Sequence, residues 1–360
     1  MQSEVQDKMK VCVYNGSMKL IEKSGVGSAV KHQRRILAMG GNEVVDRMDS
    51  DTQVVHLNTV FPNSVWTAIR AKLQKKTVVY YGHSTMEDFR NSFKCSNLLA
   101  PLFRTWIKFC YNLGDVILTP TEYSRQLLLS YDVNKPVVAI SNGIDIRKYG
   151  PDRSQRQAFC EKYGISEDKK IVISVGHYIE RKGILEFVEM AKKMPDVQFI
   201  WFGYTNPKLI PQSVQDAIAS APDNLIFPGY VVPEELLCAY QSCDLFCFMS
   251  HEETEGIVVL EALACGTPTL VRDIPVYSDW LKNGENVYKA DETEEFVEVA
   301  EKMLSGELPD LTANGRKVAE ERDFVRIAEK LNQIYDKYCH TEITQARGRQ
   351  GALKHENTNC

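Results

Sequence analysis

The chain has 360 residues, 44% of them apolar, with 43 Lys+Arg against 48 Asp+Glu and a formal net charge of -5. This is enough apolar material for two cores of ordinary size, and neither an extreme charge nor a low-complexity run points to a disordered or nucleic-acid-binding protein. The ten cysteines form no C-x-x-C pair and several lie in apolar runs, the pattern of reduced core thiols rather than of a disulfide framework.

The polar start Met1–Lys10 lacks the apolar core of a secretion signal, and no run of about 18 apolar residues could span a bilayer, so a cytoplasmic protein, soluble or peripheral, is expected. Short β-branched runs then recur, each followed by a helix-period segment: 10–14, 53–57, 77–81, 116–119 and 136–140. That alternation is what a parallel sheet covered by helices requires. Over 141–170 the pattern lapses into polar residues with Gly143, Gly150 and Pro151, and it restarts with 171–175, 197–202, 224–227, 245–248 and 267–271. The chain is therefore expected to form two Rossmann-like α/β domains, 1–150 and 151–322, followed by a helix in 323–339 and a polar, disordered tail at 340–360. The first 150 residues hold 20 basic and 13 acidic side chains, and the remaining 210 hold 23 and 35. This asymmetry points to an anionic partner for the first half, such as a membrane surface.

Four segments carry chemistry. His251 to Pro268 reads H-E-E-T-E-G-I-V-V-L-E-A-L-A-C-G-T-P, a carboxylate-rich loop leading into a helix that starts near Ile257. A helix N-terminus offers unpaired N–H groups and positive dipole to a phosphate, with Glu253 before the helix and Glu261 two turns inside it. Gly256 permits close backbone approach at the junction, where Glu255, Ile257 and Val258 are candidate contacts. Val175-Gly176 ends a strand, and Arg181-Lys182-Gly183 opens a helix, setting two cations where a diphosphate would sit. Ser24-Gly25-Val26-Gly27-Ser28 precedes a helical run. Alone it is equally compatible with a dinucleotide site, with Asp46 as its acidic partner. His83 follows the strand at 77–81, on the edge where open parallel sheets bind ligands.

Glu253 and Glu261, followed by A-L-A-C-G-T-P, resemble the E-x7-E signature of the retaining family 4 glycosyltransferases, which have the GT-B fold of two Rossmann-like domains facing across a cleft. Arg181-Lys182-Gly183 resembles the family's phosphate-binding G-R-x(4)-K-G turn, although His177 stands where the family has Arg. The family's E-G-F-G is Glu253-Thr254-Glu255-Gly256 here. Thr119 to Ser124 and Ser141 to Asp145 look like family loops at the cleft and its hinge.

The resemblance implies roles. Glu253 and His83 would meet the donor sugar, Glu261 the ribose, Arg181 and Lys182 the leaving diphosphate, and Gly25, Gly27 and Gly176 the phosphates. The donor would be UDP-glucose or UDP-galactose, with no required metal. Asp49-Ser50-Asp51 matches the letters of a D-x-D metal motif but has no apolar run before it. His83 to Phe89 and Thr119 to Ser124 look most like bacterial diacylglycerol glycosyltransferases, which implies a membrane glycolipid acceptor such as monoglucosyl-diacylglycerol. Trp66 to Lys76 and Phe89 to Tyr111 mix aromatic and basic residues as a membrane-facing surface would, with Arg104 and Lys108 among its cations. A nicotinamide-dependent oxidoreductase, a UDP-sugar epimerase of the same fold, a non-catalytic sugar-nucleotide-binding protein and a transferase with a soluble acceptor remain as alternatives.

Overall fold

The computed structural model describes residues 8–339 apart from 15, 18–21, 23 and 93–95, so the expected tail at 340–360 lies outside the described residues. The β-branched runs form two six-stranded sheets. The first comprises β1 (Lys10–Val13), β2 (Glu43–Val45), β3 (Val54–Leu57), β4 (Thr77–Tyr81), β5 (Val116–Thr119) and β6 (Val137–Ala139), in the order β2-β1-β3-β4-β5-β6. The second comprises β7 (Ile171–Val175), β8 (Gln198–Phe202), β9 (Leu225–Gly229), β10 (Leu245–Phe248), β11 (Thr269–Arg272) and β12 (Tyr288–Ala290), in the order β12-β11-β10-β7-β8-β9. Every pairing is parallel.

Parallel strands covered on both faces read as continuous apolar runs, because alternate side chains enter different cores. Val11, Val13, Val54 and Val79 lie in one cluster, whereas Cys12, Val55, Val78 and Tyr80 lie in another on the opposite face. The second sheet divides in the same way, Phe246 and Phe248 on one side and Leu245 and Cys247 on the other. The three-residue edge strands β2 and β12 were not expected from the sequence. They are too short to show a run, and β2 keeps no residue fully buried.

The helix Phe324–Tyr338 does not stay with the domain that precedes it. Its Phe324, Ile327, Leu331 and Tyr335 join the core of the first sheet, beside Val30, Ile36 and Leu37 of the helix Gly25–Met39. Each such apolar side chain contributes about 1.5–3 kcal/mol on burial, so this is a firm anchor. Asn332 secures it by donating to the Gly40 carbonyl at 2.9 Å. The chain thus crosses between domains twice, and the two crossings run side by side. The Ile144 N–H donates to Arg322 O at 2.9 Å, and the Phe324 N–H donates to Ile144 O at 3.1 Å.

Candidate active site

In each sheet the strand order reverses once, and such switch points open a crevice at the carboxyl ends of the strands. In the second sheet the reversal lies between β7 and β10, and the loops that leave those two strands carry Gly176 to Gly183 and Ser250 to Gly256. Gly183 has φ +78, and a Cβ there would lie 2.3 Å from the Met249 carbonyl oxygen. Glycine therefore lets the Arg181-Lys182 turn lie against the end of β10. Gly256, with φ +87, begins the helix Ile257–Ala264 without a side-chain cap, leaving first-turn N–H groups, those of Ile257 and Val258 among them, at an open N-terminus. A Cβ on Gly176 would approach Lys182 Cγ to 3.3 Å, so that glycine leaves room for the lysine chain.

Lys182 and Glu253 meet in this crevice. The Lys182 ammonium donates to Glu253 Oε1 and lies 5.5 Å from the centre of the Phe248 ring. Burial draws the Lys182 pKa below its usual value, which Glu253 only partly offsets. Burial pushes the Glu253 carboxyl the other way, but Lys182 and Arg181 outweigh it and hold the group below the usual carboxylate range. Each group is the other's principal compensation.

Arg181 is turned differently from the sequence expectation. Its guanidinium reaches across the cleft to Asp88 at 2.8 Å and to Ser92 Oγ at 3.1 Å, donates to the Glu252 carbonyl at 2.5 Å, and lies 4.0 Å from Glu253. It bridges the two domains rather than standing free beside Lys182. His177, at the family's Arg position, places Nδ1 2.8 Å from the Tyr204 carbonyl oxygen.

Glu261 is buried in the helix, its two oxygens accepting from Tyr149 and Tyr240, each at 2.9 Å. Burial raises its pKa, and the two tyrosine bonds only partly counter this. Glu255 is also buried, but its carboxylate is not directed at the helix end. It accepts from Ser141 Oγ, from the Asn142 N–H at 3.0 Å and from Asn142 Nδ2 at 2.7 Å, which leaves the Glu255 backbone as the part of this residue nearest the helix start.

From the first sheet, His83 stacks on Tyr81 with ring centroids 4.3 Å apart. Its Nε2 lies 3.1 Å from Asn58 Oδ1 and 3.3 Å from Gln33 Nε2. Burial, and then the neighbouring His56, lowers its pKa to about 3. It is neutral at physiological pH and suited to hydrogen bonding. Gly25 and Gly27 form the first turn of the helix Gly25–Met39, not a loop before it, with Ser24 as N-cap accepting from the Gly27 N–H at 3.4 Å. Asp46 is ion-paired with Arg34 at 2.7 Å. Among the described residues, no group of three or more His, Cys, Asp or Glu is arranged to hold a metal ion.

Family models match both halves: Glycosyltransferase Family 4 over residues 31–148 and Glycosyl transferases group 1 over 155–322. The chain is 40% identical over 329 residues to a processive diacylglycerol alpha-glucosyltransferase of Acholeplasma laidlawii, covering 91% of this chain and 98% of that one. The chain belongs to the family 4 glycosyltransferases. An alpha-galactosylglucosyldiacylglycerol synthase of Streptococcus pneumoniae is 25% identical to this glycosyltransferase, over 75% of this chain and 74% of its own. A crystal structure of Anabaena Alr3699/HepE in complex with UDP-glucose shares the fold, with a TM-score of 0.72 at 16% identity, over 91% of this chain and 100% of that one. The GT-B architecture and hexosyltransferase activity expected from the sequence are thereby established.

Sequence reasoning missed several groups of the glycosyltransferase site. Glu252 accepts from Tyr123 Oη at 3.0 and 3.2 Å, and burial, with Asp88, Glu87 and Glu253 adding to it, raises its pKa to about 7. Tyr149 and Tyr240 gave no signal, being 112 and 21 residues from the carboxylate they bind. Gly183→Ala is expected to cost the enzyme more than about 2 kcal/mol, since it combines a left-handed backbone with a clash against main chain. A melting temperature equal to that of the parent would contradict it.

Proposed function

We propose that the enzyme transfers a hexose, with retention of configuration, from UDP-glucose or UDP-galactose to a membrane glycolipid such as monoglucosyl-diacylglycerol. The observation that carries the donor reading is the Lys182–Glu253 pair beside the uncapped N-terminus of the helix Ile257–Ala264. Such a place suits a diphosphate, with N–H groups and one buried cation to meet it. Glu253 would then hold sugar hydroxyls, Glu261 the ribose through its remaining lone pairs, and His83 the sugar from the opposite domain. Gly25, Gly27 and Gly176 would let backbone approach the phosphates. With retention, acceptor and leaving group share one face of the sugar. The departing phosphate oxygen takes the acceptor's proton as the new glycosidic bond forms, and the protein supplies positioning and charge.

The acceptor reading is supported by the relatives' names and by one surface. No helix among the described residues is long and apolar enough to cross a membrane. On the helices Pro62–Leu73 and Ser96–Asn112, however, Trp66, Leu73, Leu98 and Leu102 are 68%, 81%, 81% and 70% exposed, next to exposed Arg70 and Lys75. These residues suit insertion at the inner face of a cell membrane, with the cations meeting anionic headgroups. Arg104 and Lys108 are less available than the sequence suggested, since Arg104 donates to Ser130 O at 2.7 Å and Lys108 pairs with Asp132 at 3.2 Å. Exchanging Trp66→Glu or Leu98→Glu is expected to weaken sedimentation with anionic vesicles by about tenfold or more each, the loss of one inserted apolar side chain. Sedimentation unchanged in both variants would remove the membrane surface.

The test of function is a donor panel with vesicles containing diacylglycerol or its monoglucosyl derivative, read by mass spectrometry of the lipid. A hexose added to lipid supports the proposal. Transfer to a soluble sugar alone would discard the lipid acceptor, and interconversion of UDP-sugars without an acceptor would identify an epimerase.

A further inference from the structure

Three residues of the loop that carries Glu253 are bonded by the other domain. Tyr123 donates to the Glu252 carboxylate, Thr121 Oγ1 donates to the Thr254 carbonyl at 2.9 Å, and Ser141 and Asn142 hold Glu255. The last contact differs in kind from the others. Ser141 and Asn142 belong to neither sheet but to the first crossing between domains, beside Ile144, which is paired to Arg322 and Phe324 of the second. Glu255 is 2% exposed, and a carboxylate so placed is retained only where donors satisfy it. Here three donors converge on it, one of them backbone, and the Arg322 charge acts on it as well.

We infer that Glu255 is a positioning residue, locking the Glu252–Gly256 loop to the interdomain crossing so that Glu253 and the N–H groups at the start of the following helix are set for transfer only when the domains are closed. This rests on the donor reading above. Among the described residues, Glu255 is the one side chain of this loop that ties it to the interdomain crossing through a buried carboxylate, alongside the bonds from Tyr123 and Thr121. The hydroxyl of the buried Tyr277 lies against the same loop and would be 2.9 Å from a Cβ on Gly256.

The experiment is a double-mutant cycle of Glu255→Ala and Asn142→Ala in the full chain, with Glu255→Gln as the conservative variant. Each alanine is expected to lower kcat by roughly 10- to 100-fold, the worth of a charge-assisted hydrogen bond, with KM for UDP-glucose changed by less than about threefold. The double variant is expected to be no worse than the poorer single, and Glu255→Gln, which still accepts from the Asn142 N–H, to recover part of the loss. Small-angle scattering is expected to show a larger radius of gyration for Glu255→Ala. A raised donor KM in Glu255→Ala with an unaffected Asn142→Ala would overturn the inference in favour of a direct donor contact, as would additive losses. A parent enzyme inactive on every UDP-sugar would refute the donor reading instead, and the brace would then be judged by scattering, where an unchanged radius overturns it.

Discussion

Lys182→Ala is expected to lower kcat by about two to three decades, while the affinity for UDP falls far less. Negative charge grows on the leaving phosphate as the glycosidic bond breaks, so a fixed cation beside it gains more in the transition state than in the ground state. Lys182 is suited to this because it is largely removed from solvent, held over the Phe248 ring and ion-paired, among the described residues, with Glu253. In such a setting one charge counts for far more than at the surface. Arg181 cannot replace it without giving up Asp88 and Ser92 on the opposite domain. Steady-state kinetics with UDP-glucose and calorimetric titration with UDP check the expectation. A kcat within about threefold of the parent would exclude Lys182 from leaving-group stabilisation.

Glu253→Gln is expected to act twice. Without ligand it leaves the Lys182 ammonium buried and uncompensated, which costs roughly 3–5 kcal/mol when one partner of a buried pair is removed. A bound diphosphate supplies the missing negative charge, so saturating UDP should bring the variant's melting temperature close to that of the parent under the same conditions. The glutamine keeps a carbonyl oxygen but loses the charge proposed to order the sugar hydroxyls, and kcat should fall by about 100-fold. A melting-temperature deficit that UDP leaves unchanged would mean the diphosphate does not take over the role of the carboxylate. Unaltered kcat would remove Glu253 from the sugar.

Much of this arrangement is legible along the chain, for local reasons. The β-branched runs of the central strands announce a parallel sheet because both their faces are buried, and the runs at 77–81, 116–119 and 171–175 coincide with β4, β5 and β7. Gly183 and Gly256 stand out because the backbone there adopts positive φ, which other residues rarely do. Glu253 and Glu261 are readable because a loop followed by a helix sets their positions within nine residues of chain.

What the sequence left open are the pairings between distant segments. Nothing in Phe324–Tyr338 says which core its apolar stripe enters, since an amphipathic helix satisfies either, and only packing against Val30, Ile36 and Leu37 decides it. The carboxylate of Glu255 could as well have faced a ligand as the hinge. Its acceptors are taken by Ser141 and Asn142, more than 110 residues earlier, because the two interdomain crossings run together at that point. Arg181 likewise reads as a phosphate-binding cation, and nothing in the sequence shows that folding brings Asp88 across the cleft to pair with it. The sequence by itself thus determined two parallel-sheet domains, the glycine turns and the Glu253–Glu261 segment, all of which depend on neighbours within a few turns of chain. The tertiary structure alone decided which partner each charge meets, because Lys182 pairs with Glu253, Arg181 with Asp88 and Glu255 with Asn142 only once segments 70 or more residues apart are packed together.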